Sequence, residues 1–390
     1  MNNHEKEVVS ARVLGLLFVS VLCGILSAGL WPFHAPKNDV SWLGNENGLY
    51  FGHHSTILSS GEFKTSNYKD DDGCSFEIWL QPGPLGISSV LLTLTEAGTR
   101  ADLLLIYQWT DHLVLQYRDI RSGHHEQPRK LVVGDVFHGG KRVFVAIASG
   151  AEGTAVYLDG TLVEKWPTFR ISKHGLTGTL ALGGKGGWSG RLLGFAIFHS
   201  TLTAAQVFRH YESWTRNQSP EISTNEIPIA LYLFAERAGN IVRNEIDTST
   251  NLVIPRRYLV LHPALLLPPW KEFRPSWNYW QDLAVNIAGF IPLGFLFCSY
   301  GRSIGKFEPG IMKAVILGFM VSLTIEVLQR FLPTRDSGMT DILTNTLGTG
   351  LGGLLSKQGL PRLWATSPCK TEVRLEGQQN SPCPLAGINN

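Results

Sequence analysis

The sequence is poor in cysteine and in charged residues, and both shortages limit what the protein can be. Five cysteines are scattered over 390 residues, and only Cys74 falls in the middle of the chain, so they cannot form a disulfide framework. Charged residues make up 17% of the chain, below the quarter that is usual for soluble domains. The net charge of +2 argues against a nucleic-acid partner, because such proteins carry a strongly basic face.

Catalytic motifs are also missing from the sequence. It contains no His-Glu-x-x-His metal motif, no phosphate-binding loop and no nucleophile elbow. An enzymatic activity is therefore not indicated by any local pattern, and a binding or structural role is favoured.

Long apolar segments are abundant. As helices, residues 13–31, 281–300 and 311–331 are long enough to cross a hydrocarbon core of about 30 Å, and residues 339–355 only just reach. The first segment could instead be a signal peptide. Trp-Pro-Phe follows it in place of a small-residue cleavage site, however, so an uncleaved helix is predicted. About four transmembrane helices are therefore expected.

Small residues four apart in two of these segments predict close contacts between helices. Gly24 and Ala28 lie on one face of the first segment, and Gly348 and Gly352 lie on one face of the last.

Lysine and arginine residues set the expected orientation. They are concentrated in the loop between the second and third helices, at Arg302 and Lys306, and in residues 357–390, which are predicted to be a disordered tail. Under the positive-inside rule, residues 1–12 and 357–390 are cytoplasmic, and residues 32–280 are extracytoplasmic. A linker and interfacial segment is predicted at residues 241–280, with an aromatic belt formed by Trp270, Trp277, Tyr279 and Trp280.

The part of the chain between the first two apolar segments is typical of antiparallel β-structure. Short runs rich in β-branched and aromatic residues recur at a spacing of about ten residues. Turn signals such as Pro82-Gly83 and Asp159-Gly160 separate them. This spacing predicts an all-β sandwich or jelly roll. One helix is predicted over residues 203–211, with Thr203 as its N-cap.

Three segments resemble the laminin-G-like jelly roll of the concanavalin A type. Ser75-Phe76-Glu77-Ile78-Trp79-Leu80-Gln81-Pro82 is similar to an early strand, residues 155–163 to a hairpin, and residues 182–207 to the closing strand and short helix. The resemblance implies a jelly roll over residues 41–240. The family's opening strand is similar to residues 229–235, which here follow the closing helix. We therefore hypothesise a circular permutation in which residues 229–235 complete the sandwich.

This resemblance leaves the function open, because the fold serves glucanases, lectins and protein-binding modules. A glucanase needs two carboxylates facing one cleft, and no strand provides them, so binding of a glycan or of an envelope protein is expected. Trp109 and Trp188 are candidate stacking platforms, although a position in the core is the commoner fate of tryptophan. Three carboxylates could bind calcium or simply form a solvated turn, and no other cofactor is expected: Asp70, Asp71 and Asp72.

The last third of the chain carries polar residues at regular positions within its apolar segments. Asp282-x-x-x-Asn286-x-x-x-Phe290-x-Pro292-x-Gly294 is followed by Ser322-x-x-x-Glu326-x-x-Gln329-x-Phe331-x-Pro333-x-Arg335 and by Asp341-x-x-x-Asn345-x-x-Gly348. This pattern resembles the VanZ-like membrane family, with a VanZ-like domain over residues 281–356, and Pro32-Phe33 extends the likeness to the first helix. The resemblance implies a multi-pass protein of the bacterial plasma membrane, in a family whose founding member is linked to teicoplanin resistance.

Polar groups inside membrane segments are costly and by default indicate function. The expected topology places these groups at one depth, near the outer surface, as a site for an anionic group such as a lipid phosphate. Arg335 would bind the anion, and Glu326 and Asp341 would orient Arg335 or shuttle a proton. The alternative is that the same groups satisfy one another and hold the helices together. The predicted polar site comprises Asp282, Asn286, Glu326, Gln329, Arg330, Arg335, Asp336, Asp341 and Asn345.

Three functions follow from these patterns. The preferred one is a non-enzymatic envelope protein whose jelly roll binds a glycan or protein ligand and which could affect teicoplanin susceptibility. The second is a membrane enzyme, or a protein that binds or transports a lipid phosphate, using Glu326, Arg335 and Asp341. The third is a structural anchor for the jelly roll.

Overall fold

The computed structural model describes residues 3–64, 73–84, 88–96, 101–118, 128–172, 176–184, 186–224, 226, 228–261, 265–273, 275–305 and 310–358. The chain divides into two compact units. The helical unit comprises Met1–Cys23, Trp280–Met320 and Leu343–Asn390. The sandwich unit comprises Gly24–Tyr279 and Val321–Ile342.

Two antiparallel sheets form the sandwich. The order of strands in the first sheet is β1 (Val40–Trp42), β2 (Leu49–Phe51), β13 (Gly190–Phe198), β4 (Cys74–Pro82), β9 (Val143–Gly150), β10 (Gly153–Leu158) and β11 (Thr161–Trp166). The order in the second is β15 (Ile241–Val242), β16 (Leu252–Val253), β3 (Thr56–Ser59), β12 (Thr179–Gly183), β5 (Ser89–Thr95), β6 (Asp102–Trp109), β7 (His112–Tyr117) and β8 (Arg129–Val133).

The central strand β4 is buried on both faces. Its alternation sends Phe76, Ile78 and Leu80 into the core between the two sheets, whereas Trp79 joins a second apolar cluster on the opposite face. That cluster is covered by α2 (Ala204–Asn217), whose buried residues Val207, His210 and Trp214 recur at helical spacing.

Helix α2 begins where the sequence predicts and continues beyond residue 211. Thr203 and Gln206 form a capping box, in which the Thr203 hydroxyl accepts from the Gln206 N–H and the Gln206 side chain accepts from the Thr203 N–H. The last helical residue is Asn217, and Gln218 caps the helix with a left-handed backbone conformation.

The chain after α2 returns to the sandwich and adds one strand to the first sheet and two short strands to the second. β14 (Pro228–Tyr232) pairs with Phe195–Phe198 of β13, and β16 pairs with β3. Residues 229–232 therefore lie within the first sheet. The second sheet extends to Val253 and so includes the first part of the linker that was predicted at residues 241–280. The two-residue strands β15 and β16 are too short to give a periodic signal.

The two segments that connect the sandwich to the rest of the chain lie side by side. Asn38 donates from its amide to the Pro255 carbonyl at 2.9 Å, and the Tyr258 N–H donates to the Pro36 carbonyl at 3.0 Å. The sandwich is thus a domain inserted between consecutive helices, with its ends held together as is usual for insertions.

The helices are α1 (Asn3–Leu30), α3 (Pro269–Glu272), α4 (Trp277–Ser303), α5 (Ile311–Gln329) and α6 (Met339–Gln358). Among the described residues, three helical segments are long and apolar enough to cross a membrane: Ala11–Leu30, Trp277–Ser303 and Ile311–Gln329. The fourth predicted span corresponds to α6, which is less apolar because of its glycines and threonines. Its crossing of the membrane stays a prediction.

Glycines bring α4 and α6 into backbone contact within the helical unit. A Cβ on Gly348 would lie 2.2 Å from the Ile287 carbonyl oxygen, and one on Gly352 would lie 2.0 Å from that of Ile291. The predicted close packing at Gly348 and Gly352 is confirmed. A Cβ on Gly24 would meet no described atom within 4 Å, and the helix packing predicted at Gly24 and Ala28 stays a prediction.

Candidate functional site

Glu326, the centre of the predicted polar site, is 1% exposed and lies near the start of α6. Its Oε2 accepts from the Gly338 N–H at 2.7 Å. In the same loop, Ser337 Oγ accepts from the Leu266 N–H at 3.2 Å. The Glu326 carboxyl group therefore joins α5 to the loop before α6, and Ser337 joins that loop to the chain before α3.

Glu272 performs a similar role at the same helix end, although no sequence pattern indicates it. Its Oε2 accepts from the Thr340 N–H at 3.0 Å and also from the Thr340 hydroxyl. A Cβ on Gly338 would collide with the Glu272 carboxylate, so a larger residue there would displace this side chain. Two carboxylates thus receive N–H groups at or beside the start of α6, where the helix dipole favours negative charge.

Arg335 does not lie against Glu326 as an ion-pair partner. Its Nε and Nη2 both donate to the Trp31 carbonyl oxygen, at 3.1 and 2.9 Å. Gln329 makes a parallel contact, donating from its amide to the Gly29 carbonyl at 2.8 Å. Both side chains tie the end of α5 and the loop after it to the end of α1.

The remaining residues of the predicted site are distributed over both units. Three of them belong to the sandwich unit: Arg330, Asp336 and Asp341. Arg330 is half-buried and Asp336 is exposed, while the backbone carbonyl of Asp341 accepts from the Ser322 hydroxyl at 3.5 Å. In the helical unit, Asp282 is exposed, Asn286 is half-buried and Asn345 is buried. The meeting of all nine residues at one depth stays a prediction.

A buried ionisable cluster that sequence reasoning missed lies between α2 and the first sheet. His210 Nδ1 is 2.7 Å from Glu77 Oε1, and His210 Nε2 is 3.1 Å from Glu226 Oε2. The Trp214 indole N–H donates to Glu77 Oε2 at 3.0 Å, and Arg209 pairs with Glu226. The side chains of His210, Glu77 and Glu226 are fully buried, so the arrangement clamps α2 and is closed to substrate. We call these five residues the His210 cluster.

Charge in the His210 cluster shifts the pKa values of its members in opposite directions. Burial lowers the pKa of His210, but the hydrogen bonds and charges of Glu77 and Glu226 outweigh burial and raise it. Burial raises the pKa of Glu226, but hydrogen bonds from Ser223, His210 and Arg209, together with the His210 charge, outweigh it and lower that pKa. The shifts therefore favour the protonated form of His210 and the ionised form of Glu226.

The two tryptophans proposed as stacking platforms have different positions. Trp188 is 1% exposed and lies in the core, where its indole N–H donates to Gln108 Oε1 at 3.0 Å, so it is not available to a ligand. Trp109 is 51% exposed at the end of β6. The proposed calcium ligands Asp70, Asp71 and Asp72 lie outside the described residues.

The turn that carries Trp109 is held firmly in place. Trp109 pairs across the strands with His112, and their rings lie 5.5 Å apart. His112 Nδ1 lies 2.6 Å from Asp111 Oδ1, and the Asp111 carbonyl accepts from the N–H groups of Val136 and Phe137, both at 2.9 Å. Hydrogen bonds from Thr110 and His112 lower the pKa of Asp111, which is therefore ionised at neutral pH.

These features define a class of protein: a β-sandwich carried by a chain with apolar helices suited to a membrane. Residues 195–360 match the VanZ/LLP1 family model, so this part of the chain is VanZ-like. The match begins in β13, ahead of the helices that carry the polar pattern, and includes α2 and β14 to β16. No curated protein matches the chain.

Solved structures resemble the chain only in outline. The botulinum neurotoxin serotype G binding domain is 14% identical, with 48% of each chain covered and a TM-score of 0.37. The serotype D ligand binding domain in complex with N-acetylneuraminic acid is 11% identical, with 54% of this chain and 59% of that chain covered and a TM-score of 0.36. The chain spans about half the length of the solved chains that it matches. Nothing about ligand or activity follows from likenesses at these TM-scores.

Proposed function

We propose that this protein is a non-enzymatic, multi-pass protein of the bacterial plasma membrane. Its extracytoplasmic sandwich binds a saccharide at the turn formed by residues 109–112, which we call the Trp109 turn. The helices α1, α4, α5 and α6 anchor the sandwich, and both termini are cytoplasmic. The apolar helices, the VanZ-like region and the inserted sandwich support this assignment.

The exposed Trp109 beside an ionised carboxylate is the observation that carries the proposal. An indole face offers an apolar surface to the C–H groups of a sugar ring, and Asp111 and His112 offer hydrogen-bonding groups to its hydroxyls. Since the turn is fixed by the Val136 and Phe137 N–H groups, little conformational freedom is lost on binding.

A saccharide array probed with the full-length protein in detergent tests this function. Trp109→Ala should weaken binding by roughly tenfold or more, as expected for an aromatic residue at the centre of a contact. Tyr50→Ala removes an exposed aromatic side chain from β2 in the first sheet and should leave binding unchanged. Equal binding by wild type and Trp109→Ala would show that this turn is not the ligand site.

For the polar residues around Glu326 we infer a structural role instead of a lipid-phosphate site. The observation behind this is that Glu326 and Glu272 are engaged by N–H groups at the start of α6, while two donors of Arg335 are engaged by the Trp31 carbonyl. Arg335→Ala therefore should not change any teicoplanin susceptibility that the protein confers on cells. Loss of protection in Arg335→Ala at an unchanged membrane level would favour the anion-binding alternative, and a deletion of residues 41–260 tests the contribution of the sandwich.

A further inference from the structure

A polar pocket of about 310 Å³ lies between the rim of the sandwich and the loop that follows α5. This volume is at the lower end of the range for small-molecule sites. Every residue around it belongs to the sandwich unit, and only Asp336 was part of the predicted polar site. The pocket is lined by His53, His54, Gly186, Gly187, Tyr258, Pro333, Thr334 and Asp336.

One wall of the pocket is a row of three rings packed edge to face. The ring centroids of His53 and His54 are 4.6 Å apart, and those of His54 and Tyr258 are 5.3 Å apart. The Tyr258 hydroxyl donates to the Gly184 carbonyl at 2.7 Å, which fixes the end of the row. Gly187 has φ +63°, and a Cβ there would lie 2.5 Å from the His53 carbonyl oxygen, so the loop can approach His53 only as glycine.

The pocket is also lined by a hydroxyl group whose bonding capacity is unused. Thr334 Oγ1 is buried and has no hydrogen-bond partner among the described residues. Leaving a buried polar group unsatisfied costs about 1–3 kcal/mol, so a ligand that bonds to it recovers part of that cost. Asp336 lines the same space, and its charge adds to burial, the larger cause, in raising the pKa of Tyr258 to about 12.

The polar groups of this pocket both donate and accept hydrogen bonds. Burial, together with the charge of His53, lowers the pKa of His54 despite the opposing effect of Asp39, so its imidazole is neutral at neutral pH. A neutral imidazole and a threonine hydroxyl each donate and accept, whereas the Asp336 carboxylate only accepts. A phosphate would be repelled by Asp336, and an ammonium group, which only donates, would leave the Thr334 proton without an acceptor.

Sugar hydroxyls, which donate and accept, match this set. We propose that the pocket binds the hydroxyl-rich ring of a saccharide at the membrane surface. Pro333 lies only a few residues after the end of α5, which is long and apolar enough to cross a membrane. The sugar ring could therefore come from the headgroup of a membrane lipid as well as from a free saccharide. The pocket shares no residue with the Trp109 turn, and the proposal does not depend on the function assigned to that turn.

The test uses the full-length protein in nanodiscs of phosphatidylglycerol. One arm adds free glucose, galactose, mannose or N-acetylglucosamine. A second arm incorporates glucosyl- or galactosyl-diacylglycerol into the nanodisc. Ethanolamine and inorganic phosphate serve as counter-probes. Binding only in the lipid arm identifies a headgroup site, and binding in both arms shows that the sugar ring is sufficient.

Substitutions at Thr334 locate the binding. Thr334→Val keeps the size of the side chain but removes its hydroxyl, and it should weaken saccharide binding about threefold to tenfold, as for loss of one neutral hydrogen bond. Thr334→Ser keeps a hydroxyl and should bind like wild type. A melting temperature of Thr334→Val no lower than that of wild type excludes misfolding as the cause. The proposal is overturned if no saccharide binds in either arm, if phosphate or ethanolamine binds instead, or if Thr334→Val binds saccharide as tightly as wild type.

Discussion

Replacing His210 should weaken the attachment of α2 to the first sheet, because its imidazole contacts both Glu77 of β4 and Glu226. In His210→Gln the amide keeps a hydrogen bond to one carboxylate at most. Glu226 retains Arg209, whereas Glu77 keeps the Trp214 indole N–H but loses its only cationic partner among the described residues. Removal of one partner from a buried ion pair costs about 3–5 kcal/mol. We expect the free energy of opening of α2 to fall by about that amount at mildly acidic pH.

The pH dependence of this effect has a definite sign. Because the pKa of folded His210 is raised above its ordinary value near 6.5, its contribution is complete below about pH 6.5 and is lost as the pH rises through the folded value. The pKa of folded Glu226 is lowered, so its contribution is present above about pH 4.5 and is lost as the pH falls through its own folded value. The clamp is therefore strongest in mildly acidic solution.

Hydrogen-exchange mass spectrometry of the full-length protein in detergent measures this locally, on peptides from residues 204–217. Protection of these peptides in wild type should decrease from about pH 6 to about pH 8 once the intrinsic exchange rate is accounted for. His210→Gln should show low protection that varies little across this range. Equal protection of wild type and variant at about pH 6 would refute the assignment of a charged clamp.

Two further predictions concern the helices and use matched controls. In Gly352→Ala the new Cβ would lie 2.0 Å from the Ile291 carbonyl oxygen, so this substitution should destabilise the packing of α4 on α6 by about 1–3 kcal/mol and lower the melting temperature in detergent. In the control Gly289→Ala the new Cβ meets no described atom within 4 Å, so the melting temperature should be unchanged. If both variants melt like wild type, α4 and α6 are not in backbone contact. Glu272→Gln removes a negative charge from the start of α6 and should cost about 0.5–2 kcal/mol, while Glu164→Gln on the exposed strand β11 should cost nothing measurable. An equal effect of the two glutamate substitutions would exclude a capping role for Glu272.

The parts of the fold with a local signal could be predicted from the sequence. The Asp159-Gly160 turn has positive φ at both residues, 48° and 78°, which is the backbone that this dipeptide favours in a two-residue hairpin. The Thr203 cap and the glycine pair Gly348 and Gly352 likewise act through residues close in sequence, and their positions are confirmed.

Contacts between distant residues could not be predicted in this way. His210 and Glu77 are 133 residues apart, and neither carries a motif that identifies the other as its partner. Glu272 follows a proline-rich segment without periodicity, and its partner Thr340 lies 68 residues further on. Glu326 was expected to orient Arg335, but its carboxyl group bonds to the Gly338 N–H in the loop before α6. Only the three-dimensional course of the chain shows these partners.

The most direct test of the proposed arrangement is the side of the membrane on which the sandwich lies. Glu164→Cys on the exposed strand β11 and Lys357→Cys at the end of α6 can be treated with a membrane-impermeant thiol reagent in whole cells, with peptide mass spectrometry separating these positions from the native cysteines. We expect position 164 to be labelled in intact cells and position 357 only after permeabilisation. Labelling of position 164 only after permeabilisation would place the sandwich in the cytoplasm and contradict its role as an extracytoplasmic binding domain.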